Sequence, residues 1–360
     1  MLAAEPVALA GIGGARMAEE GLKTPIDLSE LSVVGLLDGL KAWPRARILA
    51  REAAQQAAAQ KPAAAVLIDS WGFNLRMAWN LRRIDPSIRL IKYIGPQVWA
   101  ARPGRARTLA NAVDLLLTIH SFDAPLFERH GLRTVFTGNP ALHRGLERGD
   151  GAAFRARHGI APDAPVLAVL FGSRRKEIER LAEPFLGAVR LLAAQIPGLR
   201  VVSPVAETVA TDLAERLKDT PEVLTVSSGE RADLYAAANA AIASSGTATS
   251  ELALAGVPTV IGYRIDAASY VILNAMLRTP YVSLVNVAAG EELMPERLQH
   301  NCTPDRLAAA ALPWLRDPSH AAAVSARLRA AAKALKGEMD NPAEEAARAI
   351  LAEIGIPARA

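Results

Sequence analysis

Apolar positions along this chain alternate between two periods. Short runs rich in β-branched and aliphatic residues recur as AAAVLIDS (63–70), RLIKYIGPQVW (89–99), LLLTIHS (115–121) and TVFTGNP (134–140). Between them, ILAREAAQQAAAQ (48–60) and FNLRMAWNLRRI (73–84) carry apolar residues at three- and four-residue spacing. Runs of the first kind predict buried strands and those of the second predict helices. Their alternation is the βαβ rhythm of a parallel sheet. The rhythm pauses over 141–164, where HRG, RGDG and IAPDAP cluster turn residues. It resumes with strands at APVLAVLFGS (164–173), LRVVSPV (199–205), EVLTVSS (222–228), AAIASSG (240–246) and PTVIGYR (258–264). After about residue 305 the pattern is almost wholly helical. Two α/β halves of similar size are expected, facing a cleft.

Ligands of such sheets sit beyond the carboxyl ends of the strands, so the residues just after each strand matter most. The run at 63–68 ends at Asp69, in IDSWGFN. That carboxylate suits a general base beside a nucleophilic hydroxyl, and Asp69 and Ser70 equally suit a cap for the next helix. The run at 164–171 ends in FGSRRKEIE. Gly172 and Ser173 predict a tight turn at a helix start, whose free N–H groups attract an anion. Arg174 adds a two-pronged cation for a phosphate. Glu177 is placed to pair with Arg174 or Lys176, or to cap the helix. The run at 240–244 ends in SSGTATSE. Ser245, Gly246, Thr247 and Thr249 supply small residues and hydroxyls at a second helix start, and Glu251 follows one turn in. Phosphates on the helix start and a sugar diol on Glu251 would suit a nucleotide. A plain capped helix is the competing reading for each turn.

Composition changes this picture little. The 360 residues are 51% apolar and 22% charged, enough for two cores. The net charge of +4, from 41 basic and 37 acidic residues, is too modest to suggest a nucleic-acid protein. The single cysteine, Cys302, excludes a disulfide framework. The six histidines form no close ligand pair, so neither metal nor other cofactor is expected. GxxxxGK[ST] is absent, and GIGG at 11–14 reads as a turn. No run reaches membrane-spanning length and the first residues make a poor signal peptide, so a cytoplasmic protein is expected. Residues 28–48, with Trp43, Lys41, Arg45 and Arg47, and the later Arg102, Arg105 and Arg107, combine apolar and basic character suited either to an anionic membrane surface or to core plus solvated charge.

Taken in order, GIGGARM (11–17), IDSWGFN (68–74), KYIGPQVWA (92–100), FGSRRKEIE (171–179), SSGTATSELALAGVPTVIGYR (244–264) and YVSLVNVAAGEELMPERLQ (281–299) resemble the lipid-A-disaccharide synthases, from about residue 8 onward. The resemblance implies the GT-B fold: two Rossmann-like domains facing a cleft, with C-terminal helices. Its boundaries are expected at 1–145 for the acceptor-side domain, 146–335 for the UDP-sugar domain and 336–360 for a helix returning to the first. It implies an inverting glycosyltransferase that joins UDP-2,3-diacylglucosamine to 2,3-diacylglucosamine 1-phosphate. No metal would be needed, and the enzyme would sit on the cytoplasmic face of the inner membrane, with a homodimer as one expected state. By resemblance, the catalytic aspartate falls on Asp69, the key arginine on Arg174, the nucleotide loop on Gly246, Thr247 and Glu251, and a phosphate-region asparagine on Asn286. Trp99 and Ala100 would border the acceptor side.

The sequence departs from the family pattern at its start. A first strand and GExSGD loop, normally some 30 residues before GIGG, are not seen; that strand is expected near the sheet centre, so its loss would leave two apolar edges unpaired. Phe171 replaces a proline, Gly95 a serine, Ala101 a tryptophan and Trp71 a proline. An inactive lipid- or UDP-binding homologue and another GT-B UDP-sugar enzyme are the alternative readings.

Overall fold

The computed structural model describes residues 6–22, 24, 36–218, 220 and 222–358, apart from the side chains at 15–16, 36–43, 207, 267–269 and 272–273. Much of the apolar and basic stretch at 28–48 therefore lies outside the described residues. The chain divides into two units, 1–138 with 341–360, and 139–340.

The first unit contains α1 (Ala15–Glu19), α2 (Leu36–Ala59), β1 (Ala64–Ile68), α3 (Trp71–Ile84), β2 (Arg89–Tyr93), α4 (Arg105–Ala110), β3 (Leu115–Thr118), α5 (Ala124–Glu128) and β4 (Arg133–Phe136). Its strands form one parallel sheet in the order β1-β2-β3-β4. The run predicted at 89–99 gives a strand only to Tyr93. Ile94 turns into the left-handed region (φ 67°), and the chain leaves the ladder before Pro96 is reached.

The second unit follows with α6 (Gly151–Arg157), β5 (Val166–Leu170), α7 (Arg175–Ala193), β6 (Arg200–Val205), α8 (Ala210–Leu217), β7 (Val223–Ser227), α9 (Arg231–Ala237), β8 (Ala240–Ser244) and α10 (Thr247–Ala255). It continues through β9 (Thr259–Tyr263), α11 (Ala267–Met276), α12 (Leu284–Ala289), β10 (Glu296–Leu298), α13 (Pro304–Arg316) and α14 (Pro318–Lys336). Its parallel sheet runs β10-β9-β8-β5-β6-β7. The chain winds outward from β5 to β7, then returns to place β8 against the other side of β5, in register Leu170↔Ala243. All five residues of β5 are buried, as expected of a strand covered on both faces. Leu167, Val169 and Phe171 pack with Phe185 and Trp314 on one face. Val166, Ala168 and Leu170 pack with Phe154, Tyr235 and Leu252 on the other. A Cβ on Gly262 would fall 2.3 Å from the Phe185 ring, so glycine there lets α7 lie close to the sheet. The three residues of β10 carry no β-branched run, which is why periodicity gives no sign of them.

A last helix, α15 (Pro342–Glu353), belongs to the first unit. Ala346, Ala349 and Ile350 cover Ile91, Leu115, Leu117 and Val135. Glu353, its carboxylate almost buried, accepts from Arg89 Nε at 3.0 Å and Arg133 Nη1 at 2.7 Å. Val66 and Ile91 are register partners and so share that face. The cover stops short of β1, and Val66 and Ile68 remain 36% and 42% exposed. Among the described residues, β1 is the one edge of this sheet with such exposed apolar side chains; the four strands form an unbroken ladder. Two bare edges around a gap, as foreseen for an absent central strand, are not present among the described residues.

Glu353→Ala is expected to cost about 1–2 kcal/mol, since charged hydrogen bonds are lost but both arginines are half-exposed. Hydrogen exchange over 342–353 should rise, with 139–340 unchanged; equal protection in both proteins would show that apolar packing alone seats α15.

Candidate active site

Two turns meet in the second unit. The first follows β5, where Gly172 takes φ +112°, a conformation open to glycine, and a Cβ there would also strike Glu177. Ser173 N donates to Glu177 Oε2 at 3.0 Å, and Arg174 Nη1 donates to Glu177 Oε1 at 2.8 Å. Glu177 thus pairs with Arg174 as foreseen, and it ties down the turn by accepting from Ser173, the residue before the N-cap of α7. Its carboxylate fills the place an anion would take at this helix start. Arg174 is 72% exposed, so the pair is weak and open to exchange.

The second turn follows β8, the neighbour of β5. Gly246 precedes α10 with extended backbone, and a Cβ there would meet nothing within 4 Å. No side chain caps this helix start, which leaves its first N–H groups for a ligand. Ser245 is half-buried and Thr247 exposed, so their hydroxyls border the opening. Thr249 does not: it is 1% exposed and its Oγ1 donates back to Gly246 O at 2.7 Å. Parallel strands lie about 4.8 Å apart, so the pairing of β5 with β8 sets Gly172, Ser173 and Arg174 beside Ser245, Gly246 and Thr247. This is the point where the strand order reverses, the usual ligand crevice of such sheets.

Glu251 lies one turn into α10 and is only 2% exposed. Its Oε2 accepts from Arg231 Nη1 at 3.1 Å. Burial raises its carboxyl pKa, opposed by the charges of Arg231 and Arg144. Burial likewise pushes the neighbouring Tyr235 phenol up, and the charge of Glu251 adds to that shift. Asn286 behaves otherwise than foreseen. It is fully buried, its Nδ2 donates to Met294 O (2.8 Å) and Glu296 Oε1 (2.9 Å), and its Oδ1 accepts from Met294 N (2.9 Å). With both N–H groups spent, it ties α12 to the 294–296 segment rather than facing a phosphate. Glu296 completes this clamp by accepting from the backbones of Val282 and Ser283.

In the first unit the strand tips gather a different set. Asp69 and Ser70 both have positive φ, 47° and 39°, a strained pair for non-glycine residues. Asn74, from the first turn of α3, holds them: its Nδ2 donates to Ile68 O at 2.7 Å and Asp69 O at 2.8 Å. Asp69 N donates to Tyr93 O at 2.9 Å. No side chain at Ser70 caps α3, so the capping role open to this pair in the sequence is not the one it plays. The Asp69 side is left exposed at the tip of β1. Beneath it lies Lys92, 3% exposed, whose ammonium donates to Asp69 O and to Leu67 O at 3.2 Å. Burial pushes this amine down to about 8, against the opposing charge of Asp69.

After β3 come two residues that sequence reading missed. His120 Nδ1 lies 3.1 Å from Asp123 Oδ2, which also accepts from Thr118 Oγ1 at 2.5 Å; all three are buried. His120 stacks on Phe122 at 5.6 Å, and Trp99 stands edge-on to both. The signal was a His and an Asp three residues apart directly after a strand. Two strand spacings, about 10 Å, separate the tips of β1 and β3. Arg105 covers the Trp71 ring at 5.1 Å. Among the described residues, no group of three His, Cys, Asp or Glu side chains is placed to hold a metal, and no helix is long and apolar enough to cross a membrane.

Comparison with known proteins bears on what these tips do. The lipid-A-disaccharide synthetase family matches residues 2–351. A lipid-A-disaccharide synthase of Paramagnetospirillum magneticum is 40% identical over 351 residues, 96% of this chain and 90% of that one. Among solved structures, the calicheamicin glycosyltransferase CalG4 superposes with TM-score 0.59 at 17% identity, over 96% of this chain and 90% of that one. UDP-GlcNAc 2-epimerase from Neisseria meningitidis does so with TM-score 0.60 at 11% identity, over 93% and 87%. At those identities the two structures speak to the GT-B fold alone.

Lys92 generates a pH dependence. Its folded pKa, about 8, lies below the ordinary 10.5, so between these values the unfolded chain binds more protons. Stability should therefore rise with pH across that window, and the cost of burying the charge should be full below it. Denaturant melts of the protein and of Lys92→Met at intervals from pH 7 to 10.5 test this. The difference between the two should shift in favour of the unsubstituted protein as pH rises; a constant difference would refute the depressed amine.

Proposed function

The chain belongs to the lipid-A-disaccharide synthase family, glycosyltransferases of lipid A biosynthesis that use a UDP-sugar donor and a phosphosugar acceptor, and we propose how its residues divide that transfer. The carrying observation is the pairing of β5 with β8, which sets the Gly172–Arg174 and Ser245–Thr247 turns side by side. The diphosphate of UDP-2,3-diacylglucosamine lies across both. It displaces Glu177 from Ser173 N and Arg174, exchanging an exposed carboxylate pair for a doubly charged partner. Thr247 and Ser245 offer hydroxyls, whereas Glu251, buried and paired with Arg231, lies beneath them and is not open to a ribose.

Asp69 serves as base. It removes the proton from the 6-hydroxyl of the 2,3-diacylglucosamine 1-phosphate acceptor, and that oxygen attacks the donor anomeric carbon from the face opposite the diphosphate. The bond from the anomeric carbon to the diphosphate oxygen breaks as the new one forms, which inverts the centre to a β-1,6 linkage and releases UDP. Arg174 and the uncapped N–H groups of α10 balance the charge that develops on the leaving oxygen. The strained, Asn74-held backbone at Asp69 fixes the carboxylate rather than leaving it on a mobile loop. Peripheral contact with the cytoplasmic face of the inner membrane, and a homodimer, complete the reading; the basic run Arg102, Arg105 and Arg107 beyond Trp99 supports the first.

The direct test follows UDP release from UDP-2,3-diacylglucosamine in detergent and chelator. Release that requires the sugar 1-phosphate acceptor is expected; none in its presence would end the proposal. Asp69→Asn should lower kcat by about 10²–10⁴ with UDP affinity kept. Arg174→Ala should lower it by about 10²–10³, and Arg174→Lys should restore little, because an ammonium cannot grip two oxygens in one plane.

A further inference from the structure

A cavity of about 850 Å³ in the second unit shares no lining residue with the two turns. Its first wall is the segment just after the chain enters this unit, with Arg144 and Arg148. Its second is the last two turns of α14 and the residues through which the chain leaves, with Arg329, Lys333 and Lys336. Leu254 of α10 and Met339 supply apolar surface. Positions 329, 333 and 336 are spaced four and three apart and so share one helix face.

That face does two jobs. Toward its start it holds the end of α10: Ser325 Oγ donates to Gly256 O at 2.6 Å and Arg329 Nη2 to Ala255 O at 3.1 Å. Toward its end it is pinned to the opposite wall, where Lys336 Nζ meets Glu147 Oε1 at 2.6 Å and His143 Nε2 lies 3.0 Å from Lys336 O. The cavity is thus a braced one, with Arg329 and Lys336 committed to the frame. Arg144, Arg148 and Lys333 are left exposed at its mouth. Five cations face Glu147, Glu338 and Asp340, an excess of two positive charges in a concave site of ligand size. Two guanidinium forks and an ammonium around a partly apolar floor match a phosphomonoester attached to a sugar, more closely than they match a bare carboxylate. Arg144 also acts electrostatically on Glu251, which links the cavity to the donor side.

We propose that this cavity binds the phosphomonoester of a hexosamine 1-phosphate, and so seats the acceptor's phosphate. The choice of ligand rests on the transfer reaction above; the anion site itself does not. Arg148 and Lys333 are exposed, take no part in the transfer chemistry and can be reversed in charge without opening the core.

Glucosamine 1-phosphate is titrated into the full chain and into the Arg148→Glu/Lys333→Glu variant by calorimetry, with UDP titrated separately. The variant should bind glucosamine 1-phosphate at least about tenfold more weakly and show a similar rise in acceptor KM, with UDP affinity within roughly twofold. Unchanged glucosamine 1-phosphate affinity, or no saturable binding by the unsubstituted protein, overturns the proposal. Flotation with phosphatidylglycerol vesicles separates the other source of phosphate. Loss of vesicle binding with an unchanged acceptor KM would assign these cations to a lipid surface and also overturn it. Failure of UDP to bind would count against the donor turns, and the glucosamine 1-phosphate titration would still read on the cavity.

Discussion

The second unit of this enzyme depends on one backbone ladder, the parallel pairing of β5 with β8. Neither strand carries a reactive side chain; Val166–Leu170 and Ala240–Ser244 are buried throughout. Their work is positional. Because the chain fills one side of β5 first and the other later, two turns about 75 residues apart in sequence leave the sheet side by side. The cores on both faces keep that ladder from slipping. A one-residue slip would carry Leu167 and Val169 from the Phe185 side to the Tyr235 side and separate the turns.

The first unit solves a different problem, holding a carboxylate in the open. Asp69 has little packing of its own, so its backbone is fixed instead. Asn74 spends its amide on two successive carbonyls, Lys92 places a buried ammonium under the same peptide, and Tyr93 accepts the Asp69 N–H. The cost appears as two left-handed residues and a desolvated amine. Such conflicts with local preference gather where chemistry outranks stability.

Much of this was legible in the sequence. Strand runs and the residues directly after them carry a strong signal, because fully buried parallel strands leave short apolar blocks and the turns need glycine. Asp69, Gly172, Ser173, Arg174, Gly246 and Thr247 were singled out that way, and the structure sets each just beyond a strand. What periodicity lacks is direction and partner. Thr249 and Asn286 have the right chemistry at the right spacing, yet their polar atoms turn inward to Gly246 and Met294. Lys92 reads as a polar residue in a strand, and only the ladder shows it entombed beneath Asp69. His120 was counted among scattered histidines and Asp123 was passed over, because their meeting depends on the turn after β3. The exposed Val66 and Ile68 were likewise hidden, since the reach of α15 across the sheet is a tertiary fact.

The route of the chain through α15 also bears on synthesis. The unit spanning 139–340 is one continuous stretch, so every contact it needs exists once residue 340 has been made. The first unit is different: Ile91, Leu115 and Leu117 lie open until Ala346 and Ile350 arrive. Although its strands are translated first, it is completed after the second unit, and a nascent chain must carry that bare sheet face while the second unit folds. Emergence of residues 342–353, rather than of the first four strands, is then the step at which this half becomes safe from sticking to its neighbours.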